Sequence, residues 1–458
     1  MSELNTASRR LTLAVALACF FIGGVSFQAL SRDFGEVFAD STIRLDYILA
    51  GTSKAPQTAL AHTSTWGGWA GRRANMDKYP LHGNIQLTAT QNGDTVYTTA
   101  MSNLYNEWLE TGDTVARAFE CTILMPKPHM PTDITLTVYD SRRRPLSVHR
   151  HRLDPKDILI RKLGNKPNNT VTIHSGRYEG PKIKVAYLPE GFTEAQMDSF
   201  HIYARQATEA ILEHEPFKSL ADRFDFVAVD VPSADSDVSH PLTADWRRTA
   251  FDSHFSTFYS DRYLTVPSVF KLHDALAGVP YEHIIVLANT PVYGGGGIFN
   301  SYTVTNTGNP QFKPVVVHEF GHSFGGLADE YFYEEDVMTD TYPTDVEPWE
   351  PNITTLVNFK GKWENLIAEG TPVPTPAPSK ASGAQSSNST GTREATKAST
   401  ARQTDKDFTT VGVYEGAGYS TYGLYRPADY CRMRVNDVPA FCPACQQALR
   451  RLILFYTD

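Results

Sequence analysis

The chain has 458 residues, 41% of them hydrophobic and 20% charged, which is enough for a large core and more than one domain, because single cores rarely grow past ~250–300 residues. Six Trp, 22 Tyr and 24 Phe exclude a disordered chain, and a net charge of −9 gives no electrostatic case for binding nucleic acid. No second long apolar run follows the N-terminus, so a multispan membrane protein is excluded.

Residues 1–30 have the layout of a secretory signal peptide: Arg9 and Arg10, then the apolar run 11–22, then small residues. This predicts an exported protein (extracellular, cell-surface or periplasmic) with no membrane span after signal removal. Ser26 and Ala29 mark candidate cleavage points. Cys19 behind Ala18 raises a lipoprotein signal, and an uncleaved anchor helix is the alternative. Residues 31–170 read as β-rich. Polar and apolar residues alternate over 42–47 and 84–88, and Ile134, Leu136 and Val138 share one face of a strand that runs into the polar turn 142–145. The predicted unit is an N-terminal β-sandwich, with the basic stretch 142–152 as a solvated hairpin edge. Trp66 and Trp69 read as buried packing, with a sugar platform as the alternative.

From residue 171 a second domain, 171–458, alternates strand and helix, the pattern of an α/β layer. Strands are predicted at 183–188, 224–231 and 283–289. A capping box, Thr193 to Gln196, opens a helix whose apolar face is Met197, Phe200, Ala204, Ala207, Ile211 and Leu212. A second helix is predicted over 266–277. Residues 371–406 interrupt this rhythm. Prolines stand at every second position over 372–378, and the Ser/Thr-rich tract that follows has no aromatic or large aliphatic side chain to bury, so it reads as a flexible low-complexity insertion. Without Cys19 four cysteines remain: Cys121, Cys431, Cys442 and Cys445. An even number in an exported chain favours disulfides, with three possible pairings, or plain thiols. The spacing of Cys442 and Cys445 also suits a redox or zinc motif, but zinc needs a second ligand pair and only Cys431 lies nearby.

The informative segment is His318-Glu319-Phe320-Gly321-His322. On a helix, His318 and His322 lie one turn apart on the same face and can bind one Zn2+, while Glu319 beside them is the candidate general base for water whose pKa zinc lowers to ~7. Gly325 and Gly326 break the helix and turn the chain, which brings Asp329 towards the metal as a third ligand. Glu330 is the local competitor for that role, with Glu347 or Glu350 in a gluzincin-like arrangement.

This segment, followed by the residues Gly325 to Tyr331, resembles the secreted bacterial IgA-peptidase family of metzincin-like zinc metalloendopeptidases. The resemblance extends to Arg44 to Tyr47, Trp69 to Arg73, Tyr414 to Tyr419, Tyr425 to Pro427 and Cys431 to Arg434. It implies an α+β, two-domain protein, with the N-terminal β-sandwich preceding a metzincin-like α/β zinc-peptidase domain. It also implies His318, His322 and Asp329 as metal ligands, Glu319 as catalytic base, and Met433 in the methionine turn beneath the metal. The substrate class implied is protein or glycoprotein, including immunoglobulin A. Two features depart from the metzincin pattern. The usual third-ligand position falls on Ala328, and the position two residues after Met433 holds Val435 where some metzincins have a tyrosine, leaving Tyr425 or Tyr430 as stand-ins. The glycine run 294–297 reads either as a plain turn or as an edge strand leaving room for a substrate backbone. The rival to an active peptidase is a catalytically silent binding module that keeps the fold, and the intact Glu319 argues against it.

Overall fold

The structure, a computed structural model, describes residues 33–52, 54–332, 341–376 and 409–458. The signal segment 1–30 and most of the low-complexity tract lie outside these residues. Within them no helix is long and apolar enough to cross a membrane.

Two four-stranded sheets occupy the N-terminal part. The first orders its strands Arg117–Pro128, Phe38–Thr52, Ala55–Gly67 and Arg161–Lys162; the second Asp94–Met101, Ile85–Gln91, Thr132–Tyr139 and Pro145–Leu153. Their apolar faces meet in one cluster, with Ile43, Leu45, Tyr47 and Leu49 from the first sheet and Ile85, Leu87, Ile134, Leu136 and Val138 from the second. The alternation predicted for 134–138 is realised in that cluster. The basic stretch after the turn forms an edge strand, with Arg150 and Arg152 exposed and His149 and His151 packed against Tyr47. Trp66 and Trp69 are buried packing residues, and the Trp69 indole donates to the Arg72 carbonyl at 2.9 Å.

The long strand Phe38–Thr52 is buried on both faces at its centre. Its second face carries Arg44 and Asp46, which are fully buried and paired at 2.7 Å. Arg44 also reaches Asp274 at 2.5 Å and the Phe270 carbonyl at 3.1 Å, on the helix Val269–Ala275. That helix is shorter than the predicted 266–277, because Pro267 and Gly278 flank it and neither continues a helix.

The C-terminal part centres on a six-stranded mixed sheet, ordered Gly295–Ile298, Tyr302–Asn306, His283–Ala288, Ile183–Glu190, Phe224–Val229 and Thr170–Ser175. Its four inner strands are parallel and both edge strands antiparallel. Parallel strands are buried on both faces, so His283–Ala288 reads as a continuous apolar run rather than an alternation. One face packs against the helices Met197–Leu212, Phe312–Ser323 and Pro443–Thr457, and the other against the helix Val269–Ala275 and its flanking loops. The capping box forms as predicted: Thr193 accepts from and gives to Gln196 across a 3-10 turn that leads into the helix. The whole is a mixed α+β fold with many strands and few helices.

The structure bears on two further expectations. The predicted insertion 371–406 is held at its start, because the Thr375 amide donates to the Val413 carbonyl at 2.8 Å and the Val413 amide to Thr375 Oγ1 at 2.8 Å. The chain therefore leaves and re-enters the fold at one point. All four cysteines after Cys19 are free thiols and buried, so no disulfide links the described residues.

Candidate metal centre

The helix Phe312–Ser323 lies with its apolar side, Val316, Val317 and Phe320, in the core. It ends in a Schellman arrangement, in which Gly326 has φ +59° and donates to the His322 carbonyl at 2.9 Å, while Leu327 donates to the Gly321 carbonyl at 3.2 Å. The reversal predicted from Gly325 and Gly326 is thus made by a left-handed glycine, and it carries the chain back along the helix to Asp329.

His318 Nε2 and His322 Nε2 are 3.0 Å apart, and Asp329 Oδ1 is 3.1 Å from the first and 3.3 Å from the second. The outer ring nitrogens fix the tautomer of each neutral ring. His318 Nδ1 lies 3.0 Å from the Arg432 carbonyl and His322 Nδ1 lies 2.6 Å from the Leu327 carbonyl. A carbonyl only accepts, so each Nδ1 carries the hydrogen and, in the neutral ring, each Nε2 presents a lone pair. Asp329 Oδ1 is buried without a hydrogen-bond partner. With both rings neutral, three acceptor atoms converge with no donor between them, an arrangement that a cation satisfies. Their separations match the ligand–ligand edge of about 3.3 Å that tetrahedral bonds of ~2.0–2.1 Å produce. The residues fit the metal. The two histidine–carbonyl contacts orient the rings as outer partners of metal ligands commonly do.

Burial disfavours charge on His322, yet the Asp329 carboxylate raises its pKa to about 9; burial likewise opposes charge on Asp329, but His322 and His318 hold its carboxyl far below the usual range. Glu319 behaves differently. Burial raises its pKa, partly opposed by His318 and His322, which moves a carboxylate towards the range useful for a base near neutrality. A carboxylate oxygen of Glu319 lies within 4.8 Å of the ligating edges of both histidines.

Met433 is fully buried beneath the helix, and a Cβ built on Gly321 would come within 2.7 Å of its sulfur. Gly321 is therefore the close-approach residue that admits the methionine. The same turn supplies the Arg432 carbonyl to His318 and the Met433 carbonyl to the Glu330 amide at 2.9 Å.

The competitors for third ligand are elsewhere. Glu330 turns away to Asn352 and Cys445, Glu347 pairs with Lys362 at 2.8 Å, and Glu350 accepts from the Tyr342 hydroxyl at 3.1 Å. Ala328 is held through its backbone by the Asn352 side chain. Of the tyrosines considered, Tyr425 lies on a strand paired through its backbone with Thr354. The tyrosine that reaches the centre is Tyr419, whose hydroxyl donates a short hydrogen bond to Asp329 Oδ2. No local pattern marks it, since it sits in a turn at φ +67° between the strands Tyr414–Ala417 and Ser420–Arg426.

The glycine run forms the edge strand Gly295–Ile298, but the space it leaves is filled by the metal helix. A Cβ on Gly295 would lie 2.8 Å from Glu319 Oε1, and one on Gly297 would lie 2.3 Å from the Glu319 carbonyl oxygen. Tyr263 bridges to Gly295, so the edge is already partnered there. Tyr263 donates to Glu107 at 2.5 Å, and burial pushes Glu107 up to about 7. Glu107 comes from the helix Leu104–Glu110 of the N-terminal part and escaped the sequence reading, because only the packing of the two parts brings it near His322.

Comparison with known proteins identifies the family. The family described as IgA Peptidase M64 matches residues 171–453, and the family described as Peptidase M64 N-terminus matches residues 33–149. No curated protein matches the chain. Among solved structures, the metalloproteinase-II from Bacteroides fragilis is similar at 13% identity, covering 59% of this chain and 88% of that one, with a TM-score of 0.20 that is too low for its geometry to bear on this site. With the first family spanning more than half of its length, this chain belongs to the peptidase M64 family and is a metallopeptidase.

Proposed function

We propose that the chain is an exported zinc-dependent endopeptidase of the HExxH type, with a metzincin-like catalytic domain behind an N-terminal β-sandwich. The observation that carries the reading is the convergence of two imidazole lone pairs and an orphaned carboxylate oxygen beside a second, separately placed carboxylate. His318, His322 and Asp329 are the metal ligands. When bound, zinc supplies a Lewis acid that acidifies water and stabilises negative charge developing on the scissile carbonyl. Glu319 takes the proton of the attacking water and returns it to the leaving amine. Tyr419 holds Asp329 in place through Oδ2 and leaves Oδ1 free for the metal. Met433 and Gly321 set the floor under the histidines.

Protein is the substrate class that follows from a peptidase. Immunoglobulin A or another secreted glycoprotein is the substrate we infer from the family description, and export from the signal-like segment 1–30. The purified chain and its Glu319→Ala variant, each incubated with human IgA and with a mixed peptide library, test this by mass spectrometry of the products. New IgA fragments from the wild type alone support both the chemistry and the substrate. Library cleavage without IgA cleavage keeps the endopeptidase and removes the immunoglobulin. No cleavage by zinc-loaded protein overturns the reading.

A further inference from the structure

We propose that Glu330, Cys431, Cys442 and Cys445 form a second metal site, a closed tetrahedral zinc centre that clamps the segment carrying Asp329 to the Met433 turn and the C-terminal helix. The inference rests on its own donor set and stands apart from the peptidase reading.

The four donor atoms lie within 4.8 Å of one another, and all four residues are fully buried. Cys431 Sγ and Cys445 Sγ are 3.8 Å apart. A disulfide requires about 2.0 Å. Sulfurs sharing a tetrahedral zinc at ~2.3 Å stand about 3.8 Å apart. Glu330 Oε1 is 3.1 Å from Cys445 Sγ, and it also accepts from Asn352 at 2.9 Å. The second observation concerns the other oxygen: Glu330 Oε2 is buried with no hydrogen-bond partner. A fully buried carboxyl whose second oxygen has no partner, set among three thiols, lacks the compensation that a buried polar atom demands. A divalent cation supplies it.

Three sulfurs and one oxygen select a thiophilic metal, and zinc fits that donor set. Cys442 is the N-cap of the helix Pro443–Thr457 and Cys445 lies in its first turn. With four protein ligands and no solvent access the centre has no open position, which makes it structural rather than catalytic. Binding releases to solvent the protons that the three thiols and the Glu330 carboxyl carry. Its place in the chain gives it a task. Glu330 follows Asp329, and Cys431 precedes the Arg432 carbonyl that orients His318, so the clamp positions two of the three proposed catalytic ligands from behind.

The test counts zinc by elemental mass spectrometry in the purified full chain, in His318→Ala/His322→Ala, and in Cys442→Ser/Cys445→Ser. Two ions per chain are expected in the wild type and one in each variant. Cobalt replacing zinc is expected to show thiolate-to-metal charge-transfer absorption in the wild type and in the histidine variant. Should the cysteine variant fail to fold, the histidine variant decides alone: one ion with the thiolate absorption supports the clamp, and no ion overturns it. A disulfide among Cys431, Cys442 and Cys445 in the intact protein, found by peptide mapping without reduction, also overturns it. Loss of peptidase activity with both ions retained would count against the catalytic reading only.

Discussion

Two clusters of side chains that could hold a metal ion share a border one peptide bond wide. Asp329 and Glu330 are consecutive, yet Asp329 faces two imidazoles and Glu330 faces three thiols. The peptide between them is held on one side by the Met433 carbonyl and on the other by the Gly418 amide, so consecutive side chains leave on opposite sides. The first cluster is made of nitrogen and oxygen, and its histidine side chains keep 14% and 16% exposure beside Glu319. The second is mostly sulfur and has none. On the proposed reading, the first centre admits water and substrate and the second excludes both.

The sharpest way to break the contrast is to remove the base that only the open cluster has. Glu319→Gln is expected to lower kcat by about 10²–10⁴-fold with zinc content unchanged; an unchanged rate would dissociate Glu319 from the chemistry. Next comes the outer partner of the open cluster. Tyr419→Phe removes the hydrogen bond to Asp329 Oδ2 and is expected to weaken activity or metal retention by about 10–100-fold, read as kcat/KM and as the rate of zinc loss to a chelator, while the thiolate cluster keeps its ion.

The floor shared by the two clusters responds through stability. Gly321→Ala drives a methyl against the Met433 sulfur and is expected to cost about 1–3 kcal/mol, measured by denaturant unfolding. The smallest effect is acid sensitivity where the two helices bearing the clusters meet. The His283 ring packs edge-on against Phe324 at 4.9 Å and Tyr456 at 5.5 Å, and burial lowers its pKa to about 3. The unfolded ring takes a proton near its ordinary value of 6.5 and the folded ring does not. Its contribution is therefore complete above pH 6.5 and declines as pH falls from there towards about 3. At pH 5.5 the loss is about 1.4 kcal/mol, and His283→Leu is expected to flatten that part of the stability–pH curve.

Much of the open cluster was legible because its information is local. Two histidines four apart declare themselves on any helix, and Gly325 and Gly326 announce the reversal that delivers Asp329. The closed cluster was hidden because its donors are spread from Glu330 to Cys445, and the spacing of Cys442 and Cys445 alone did not say which residues complete it. The motifs at Arg44 and Arg72 were visible as resemblance but not as physics. Arg44 proves to tie the first sheet to the helix Val269–Ala275, and Arg72 stacks on Tyr79, Tyr97 and Phe455. Both are joints between the two parts of the molecule rather than binding residues.

By itself, the sequence determined the strand that alternates at 134–138, the capped helix from Met197, the metal helix and its glycine stop, since each depends on spacing along one segment. Tertiary structure alone decided that the room left by Gly295 and Gly297 belongs to the metal helix and not to a substrate, that Tyr419 is the tyrosine at the centre, and that three thiols remain unpaired around a buried carboxylate. Those outcomes depend on which distant surfaces meet, and periodicity within a segment carries no record of its partner.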